Sequence, residues 1–131
     1  MTYATQAANY RDLEVLGAPP ERLLLMLFDQ ALTQFERVRI GIERNNVEMQ
    51  VTALTRVRAI VAELLATLDF EQGGEIAGQL GDLYQFLLLQ LLDLGRRPDP
   101  ARLARLAGIM ATLRDGFSGA AEQLAAHKLS A

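Results

Sequence analysis

The chain has 131 residues, a length that suits a single domain with one hydrophobic core. It contains no cysteine, which excludes disulfides, thiol nucleophiles and thiolate metal sites. The net charge is −3, whereas a nucleic-acid-binding protein usually carries a clustered basic face, so we expect no nucleic-acid partner. No apolar run reaches the roughly 18 residues of a membrane span, and the N-terminus lacks a signal-peptide pattern. We therefore expect a cytoplasmic protein without membrane insertion.

The chain begins with residues that show no sustained helical periodicity, and we predict a mobile N-terminal arm over residues 1–17. A first helix is expected from Pro19-Pro20, because proline fits the first helical turn, to a turn at Asn45-Asn46. Ala18 precedes this helix and has no side-chain oxygen with which to cap it. The inward face is formed by apolar residues at helical spacing, namely Leu24, Leu27, Phe28, Ala31, Phe35, Val38 and Ile42.

A second amphipathic helix is predicted over residues 47–68, with Arg56 and Glu63 on its outer side. The Gly73-Gly74 pair is interpreted as the break between this helix and a third, because glycine is a poor helix former. The third helix is then expected to begin near Gly74 or Glu75 and to end near Leu94.

Asp99 is placed to cap a fourth helix whose first residue is Pro100. Gly116 and Gly119 interrupt the pattern, so we expect residues 118–131 to form a short last helix or a tail. Four helices joined by short loops predict an all-α fold, an antiparallel up-down four-helix bundle over residues 18–117.

The single histidine, His127, lies near the C-terminal end of the chain. One histidine cannot supply the paired Glu-x-x-His motifs of a di-iron bundle. A phosphotransfer bundle would need its histidine midway along a helix. We therefore predict no enzyme, no catalytic residue, no metal site and no cofactor.

Glycines before the leucine-rich part of the third helix form a second feature. A phosphate loop needs a Gly-Lys-Ser/Thr ending, but here Gly74 is followed by Glu75, which would repel an anion. Small residues at helical spacing instead predict a stripe that another backbone can approach closely, either from the bundle or from a partner. These residues are Gly74, Ala77, Gly78 and Gly81.

Two helices carry more apolar residues than the roughly three in seven that a bundle needs. The residues off the core stripe are Leu23, Leu25, Met26 and Ile40 in the first helix and Phe86, Leu88, Leu89 and Leu92 in the third. Three explanations remain open: a deeply central third helix, self-association, or an exposed groove for an apolar partner.

The stretch LDFEQGGEIAGQLGDLYQFLLLQLL resembles the signature of the flagellin export chaperones, the FliS family. The matching residues, in order, are Leu68, Asp69, Gly73, Gly74, Glu75, Ile76, Ala77, Leu80, Leu83 and Tyr84. The first helix is similar to a second family block through Pro19, Leu23, Leu27, Phe28, Asp29 and Ala31. Tyr10 stands where the family has a tyrosine in its arm. Ala18 stands where the family usually has serine.

The resemblance implies a cytoplasmic export chaperone that binds the disordered C-terminal region of flagellin. Such a chaperone prevents premature polymerisation and assists delivery to the flagellar type III export apparatus. The resemblance also implies that the arm, including Tyr10, takes part in client binding and in docking to an export gate protein.

Taken with the surplus apolar residues, the resemblance gives a predicted client-binding set. It comprises Tyr10, Leu23, Met26, Gly78, Gly81, Phe86, Leu88, Leu89 and Leu92. The alternative is a helical adaptor or structural bundle that associates with itself, as a homodimer for example, and does not bind flagellin.

Overall fold

The computed structural model describes the backbone of residues 20–130 and the side chains of residues 21–119. This part of the chain forms four helices: α1 (Pro20–Glu43), α2 (Val47–Ala66), α3 (Phe70–Arg96) and α4 (Pro100–Ser130). Within it there is no strand, and the all-α prediction is confirmed. The predicted arm, with Tyr10, lies outside the described residues, as do Ala18 and the side chain of His127.

Each of the three connections between helices contains an Asn or Asp residue that caps the next helix. Asn45 has a positive φ of 54°, which asparagine tolerates better than most residues. Asn46 caps α2, since its side-chain oxygen accepts a hydrogen bond from the backbone N–H of Met49 at 3.0 Å. Asp69 and Asp99 cap α3 and α4 in the same way, each accepting from the N–H groups two and three residues on. The predicted turn at Asn45-Asn46 and the predicted Asp99 cap are confirmed.

Two helix boundaries differ from the prediction. Helix α3 begins one turn early, at Phe70, because Asp69 caps the N–H groups of that turn; the backbone leaves helical angles at Gly74, and the long regular part of α3 starts at Glu75 as predicted. Helix α4 continues through Gly116 and Gly119 to Ser130, so no separate last helix exists. Glycine costs about 1 kcal/mol relative to alanine in a helix but does not forbid helical dihedral angles.

Helix α1 is the centre of the packing. It packs against both α2 and α4, while α2 packs in turn against α3. Neighbouring helices run antiparallel, as Gly41 beside Gln50 and Leu54 beside Gly95 show. At the other end of α1, Phe28 lies against Phe117 of α4 with ring centroids 5.2 Å apart. The interior is filled by buried apolar side chains: Leu27, Phe28, Ala31, Phe35, Val38, Ala53, Leu54, Val57, Ile60, Val61, Leu64, Tyr84, Leu87, Leu91, Leu94, Leu103, Leu106 and Met110.

The outer side of α2 is narrower than predicted. Glu63 is only 7% exposed, and its Oε2 has no hydrogen-bond partner in the structure. The prediction that Glu63 faces solvent is therefore wrong. The reason is that α2 packs on two helices, α1 and α3, so more than one face of it is covered.

Two ion pairs tie α4 to its neighbours. Arg102 donates to Asp93 of α3 at 2.7 Å, and this hydrogen bond lowers the pKa of Asp93. Arg114 donates to Asp29 of α1 at 3.0 Å. The first pair lies beside the short connection between α3 and α4, so it fixes these two helices at one end only.

The burial of Tyr84 can be tested through the pH dependence of the free energy of unfolding. Burial raises the pKa of Tyr84 to about 12, from an ordinary value of 10.0. The neutral phenol is favoured in the folded protein, so its contribution is complete below about pH 10 and is lost as the pH rises towards about 12. Two pKa units correspond to about 2–3 kcal/mol.

We therefore expect the free energy of unfolding to fall more steeply for the natural chain than for Tyr84→Phe between about pH 9 and pH 12. Urea denaturation at several pH values measures this difference. Parallel curves for the two proteins would show that Tyr84 titrates as an exposed phenol.

Candidate functional site

An apolar groove of about 420 Å³ lies between α3 and α4. Arg102 and Asp93 join these two helices near their connection, but the described parts of α3 and α4 do not pack closely against each other. At the edge of the groove lies Ile76, a large apolar side chain that is 70% exposed. The lining residues are Ile76, Gln79, Leu80 and Leu83 from α3 and Thr112, Leu113, Gly116 and Phe117 from α4.

The outer face of α3 carries a second apolar surface. Phe86, Leu89 and Leu92 follow one another at a spacing of three and are 46%, 67% and 50% exposed. Leu88 beside them is half-buried. Leu87, Leu91 and Leu94 on the opposite side of α3 fill the core. The exposed residues are therefore not explained by a third helix that is buried on all sides. The structure therefore brings together four of the predicted client-binding residues, and we call Phe86, Leu88, Leu89 and Leu92 the outer stripe.

The apolar residues of α1 that were predicted to lie off its core stripe are mostly covered by neighbouring helices. Leu23 is only 1% exposed, so the inference that it lies off the buried face is wrong. Leu25, Met26 and Ile40 are half-buried. A helix with neighbours on two sides, α2 and α4, covers more of its circumference than a single stripe at helical spacing suggests.

Gly73 and Gly74 kink α3 rather than separating it from α2. Gly74 has φ 54° and ψ −129°, a combination that residues with a Cβ atom rarely adopt. At Gly73 the obstacle is space, because an added Cβ would lie 2.6 Å from Cβ of Ala77. Two different physical requirements thus place glycine at both positions.

The remaining glycines of the predicted stripe have different surroundings. An added Cβ on Gly81 would lie 3.1 Å from Cε1 of Phe70 and 3.7 Å from Cδ1 of Leu68. Gly78 has no such neighbour within 4 Å. The close approach that the stripe predicts is therefore made at Gly81 by an aromatic ring of the same chain, and not by another helix backbone.

Most of the quoted signature has a structural role in this fold. Asp69 caps the helix, Ala77 and Tyr84 are buried, and the glycine pair forms the kink. Ile76 is different, because it is a large apolar residue that stays in solvent at the edge of the groove.

Sequence reasoning missed this groove. The signal available was the helical spacing of Ile76, Leu80 and Leu83, which marks a second apolar edge beside the core stripe.

Other kinds of site find little support in the described residues. No three acidic or histidine side chains there are placed to hold a metal ion together. None of the helices combines the length and the apolar character that crossing a membrane requires, as far as the chain is described. The site is thus a pair of apolar surfaces on one helical bundle.

Comparison with known proteins identifies the class of this bundle. A family model described as flagellar protein FliS matches residues 2–124, and the chain belongs to this family. It is 33% identical over 104 residues to the flagellar secretion chaperone FliS of Salmonella typhimurium, covering 79% of this chain and 77% of that protein. It is 37% identical over 101 residues to the chaperone of the same name from Campylobacter jejuni, covering 76% of each. The flagellar secretion chaperone FliSB of Pseudomonas aeruginosa is 26% identical over 108 residues, covering 82% of this chain and 86% of that protein.

The kink can be tested with a matched pair of glycine substitutions in α3. Gly74→Ala should lower the free energy of unfolding by about 1–3 kcal/mol, since the backbone there is strained for alanine. Gly78→Ala should raise it by about 0.5–1 kcal/mol, because this position is helical and has open space around it. Urea denaturation measures both, and equal effects at the two positions would contradict the assigned kink.

Proposed function

We propose that this protein is a cytoplasmic export chaperone for flagellin. It binds the disordered C-terminal region of flagellin, prevents premature polymerisation and assists delivery to the flagellar type III export apparatus. Membership of the family of flagellar secretion chaperones supports the chaperone role. The observation that carries the binding proposal is the outer stripe, where apolar side chains stay in solvent on a well-packed helix.

The outer stripe suits an amphipathic helix as its ligand. A partner helix presents apolar residues at spacings of three and four, which match the spacing of Phe86, Leu89 and Leu92. Polar residues flank the stripe, with Asp82, Gln85 and Arg96 all exposed. An apolar centre with a polar rim is the usual composition of a protein-binding surface.

The groove between α3 and α4 gives the client a second place to bind. Ile76 and Leu83 form one wall and Leu113 and Phe117 the other. Burial of about 1,000 Å² across both surfaces would contribute roughly 25 kcal/mol before costs. Ordering of the client and loss of its free motion offset most of this gain. Two separate apolar surfaces therefore favour a long client segment over a short one.

The N-terminal arm completes the proposal. Tyr10 is assigned to client binding and to docking at the export gate protein, on the resemblance of the arm to that of the family. Met26 and Gly78 remain proposed contacts, the first half-buried and the second with open space beside it.

The central experiment is a titration of the full chain with a peptide of the flagellin C-terminus. Calorimetry should show one-to-one binding with a negative heat-capacity change, because apolar surface is buried. Circular dichroism should show a gain of helix as the peptide orders. An absence of binding at micromolar concentrations contradicts the chaperone proposal.

A charge placed in the outer stripe tests where the client binds. Leu89→Glu should weaken peptide binding by at least about tenfold, since burying a leucine contributes about 1.5–3 kcal/mol. Its effect on unfolding should stay within about 0.5 kcal/mol, because the side chain is 67% exposed.

Thr52→Glu serves as the matched control. It adds the same charge at an exposed position of α2, beside Glu48 and Arg56 on a different surface. Peptide binding should be unchanged in this variant. If both variants weaken binding equally, net charge and not the outer stripe governs affinity.

Self-association through the outer stripe is the competing function. The same exposed side chains favour it, since a second copy could cover them. Sedimentation of the free chain separates the two: a dimer that Leu89→Glu dissociates, together with no peptide binding, would support the adaptor and not the chaperone.

A further inference from the structure

Phe70 is an exposed aromatic residue whose ring packs against the backbone of a glycine in its own helix. Its side chain is 55% exposed, yet two of its ring atoms lie 3.1 Å and 3.3 Å from the point where a Cβ of Gly81 would stand. The ring thus covers the backbone of α3 at Gly81, which is itself buried. A Cβ at position 81 would push the ring out by a few tenths of an ångström, so glycine permits this contact without strain.

The turn that carries Phe70 is a separate local unit. Asp69 caps it through the N–H groups of Glu71 and Gln72, and the N–H of Gly73 donates to the carbonyl oxygen of Asp69 at 2.7 Å. At Gly74 the backbone leaves helical dihedral angles before the rest of α3 begins. Because glycine has no Cβ, Gly74 can change its dihedral angles at little steric cost, and it joins two helical pieces of α3.

Gly81 lies close to the outer stripe on α3. Leu88 and Leu92 follow it at seven and eleven residues, spacings that return to the same side of a helix. An apolar helix on the outer stripe that extends towards the start of α3 would therefore meet the ring of Phe70.

We infer that the turn over residues 70–73 is a flap, hinged at Gly74, that controls access to this end of the outer stripe. In the free protein Phe70 covers Gly81. When an amphipathic client helix binds, the flap swings away and the client lies against Gly81 in place of the ring. The inference rests on the proposed client binding to the outer stripe, and it adds a residue that competes with the client.

The flap can be followed by fluorine NMR on the full chain labelled with para-fluorophenylalanine. The chain has five phenylalanines, and Phe70→Leu assigns the signal of interest. The difference in chemical shift between H2O and D2O reports the exposure of each ring. On addition of the flagellin peptide, this difference should rise for Phe70 and fall for Phe86. A fall at both rings, or no change at Phe70 while Phe86 responds, overturns the flap.

A second arm needs no client and so separates the flap from the proposed function. Gly81→Ala places a methyl group 3.1 Å from the ring and should raise the exposure of Phe70 in the free protein, with the other four signals unchanged. Gly78→Ala, where space is open, should leave Phe70 as it is. If Gly81→Ala leaves Phe70 covered or disturbs the core signals, the turn is fixed packing and no flap exists.

Affinity gives the third readout. Phe70→Ala removes the competing ring and should tighten peptide binding by about threefold to tenfold. In the natural chain the closed flap makes the site available in only a fraction of the molecules, which lowers the apparent affinity by that fraction. Weaker binding would show that Phe70 contacts the client directly, which contradicts the flap. Absence of binding by the natural chain would contradict the proposed function. The Gly81→Ala result would still show whether Phe70 can move away from Gly81 in the free protein.

Discussion

The packing of α1 against two neighbours determines the rest of this structure. Because α1 contacts both α2 and α4, and α2 contacts α3, the third helix is attached to the bundle mainly through one side. Its outer face remains in solvent, and an apolar groove opens between it and α4. Both apolar surfaces of the candidate site follow from this arrangement. A symmetric bundle with four equally packed seams would have buried Ile76 and closed the groove.

The sequence predicted well those features that depend on neighbouring residues. The turn at Asn45-Asn46, the Asp99 cap and the position of Leu89 off the buried face all follow from helical periodicity and side-chain chemistry. Features that depend on the distance between helices were not predictable in this way. Leu23 and Glu63 are buried because their helices each have two neighbours, and the groove exists because α3 and α4 diverge.

The glycine pair shows why poor helix formers need to be interpreted with their surroundings. Low propensity at Gly73 and Gly74 suggested the end of a helix, but the cap at Asp69 starts the helix earlier and the pair bends it. At Gly116 and Gly119 the same residue type has no visible effect on α4, where Phe117 packs against Phe28. Tertiary contacts outweigh a cost of about 1 kcal/mol per glycine.

The ion pair between Arg102 and Asp93 also has a mechanical consequence. It clamps α3 and α4 at one end, and Ile76 lies seventeen residues along α3 from Asp93, a lever of about 25 Å at 1.5 Å per residue. A change of about five degrees in the angle between the helices would move Ile76 by about 2 Å, roughly the radius of a methyl group. The width of the groove near Ile76 is therefore sensitive to small changes in the angle between α3 and α4, which this ion pair restrains at one end only.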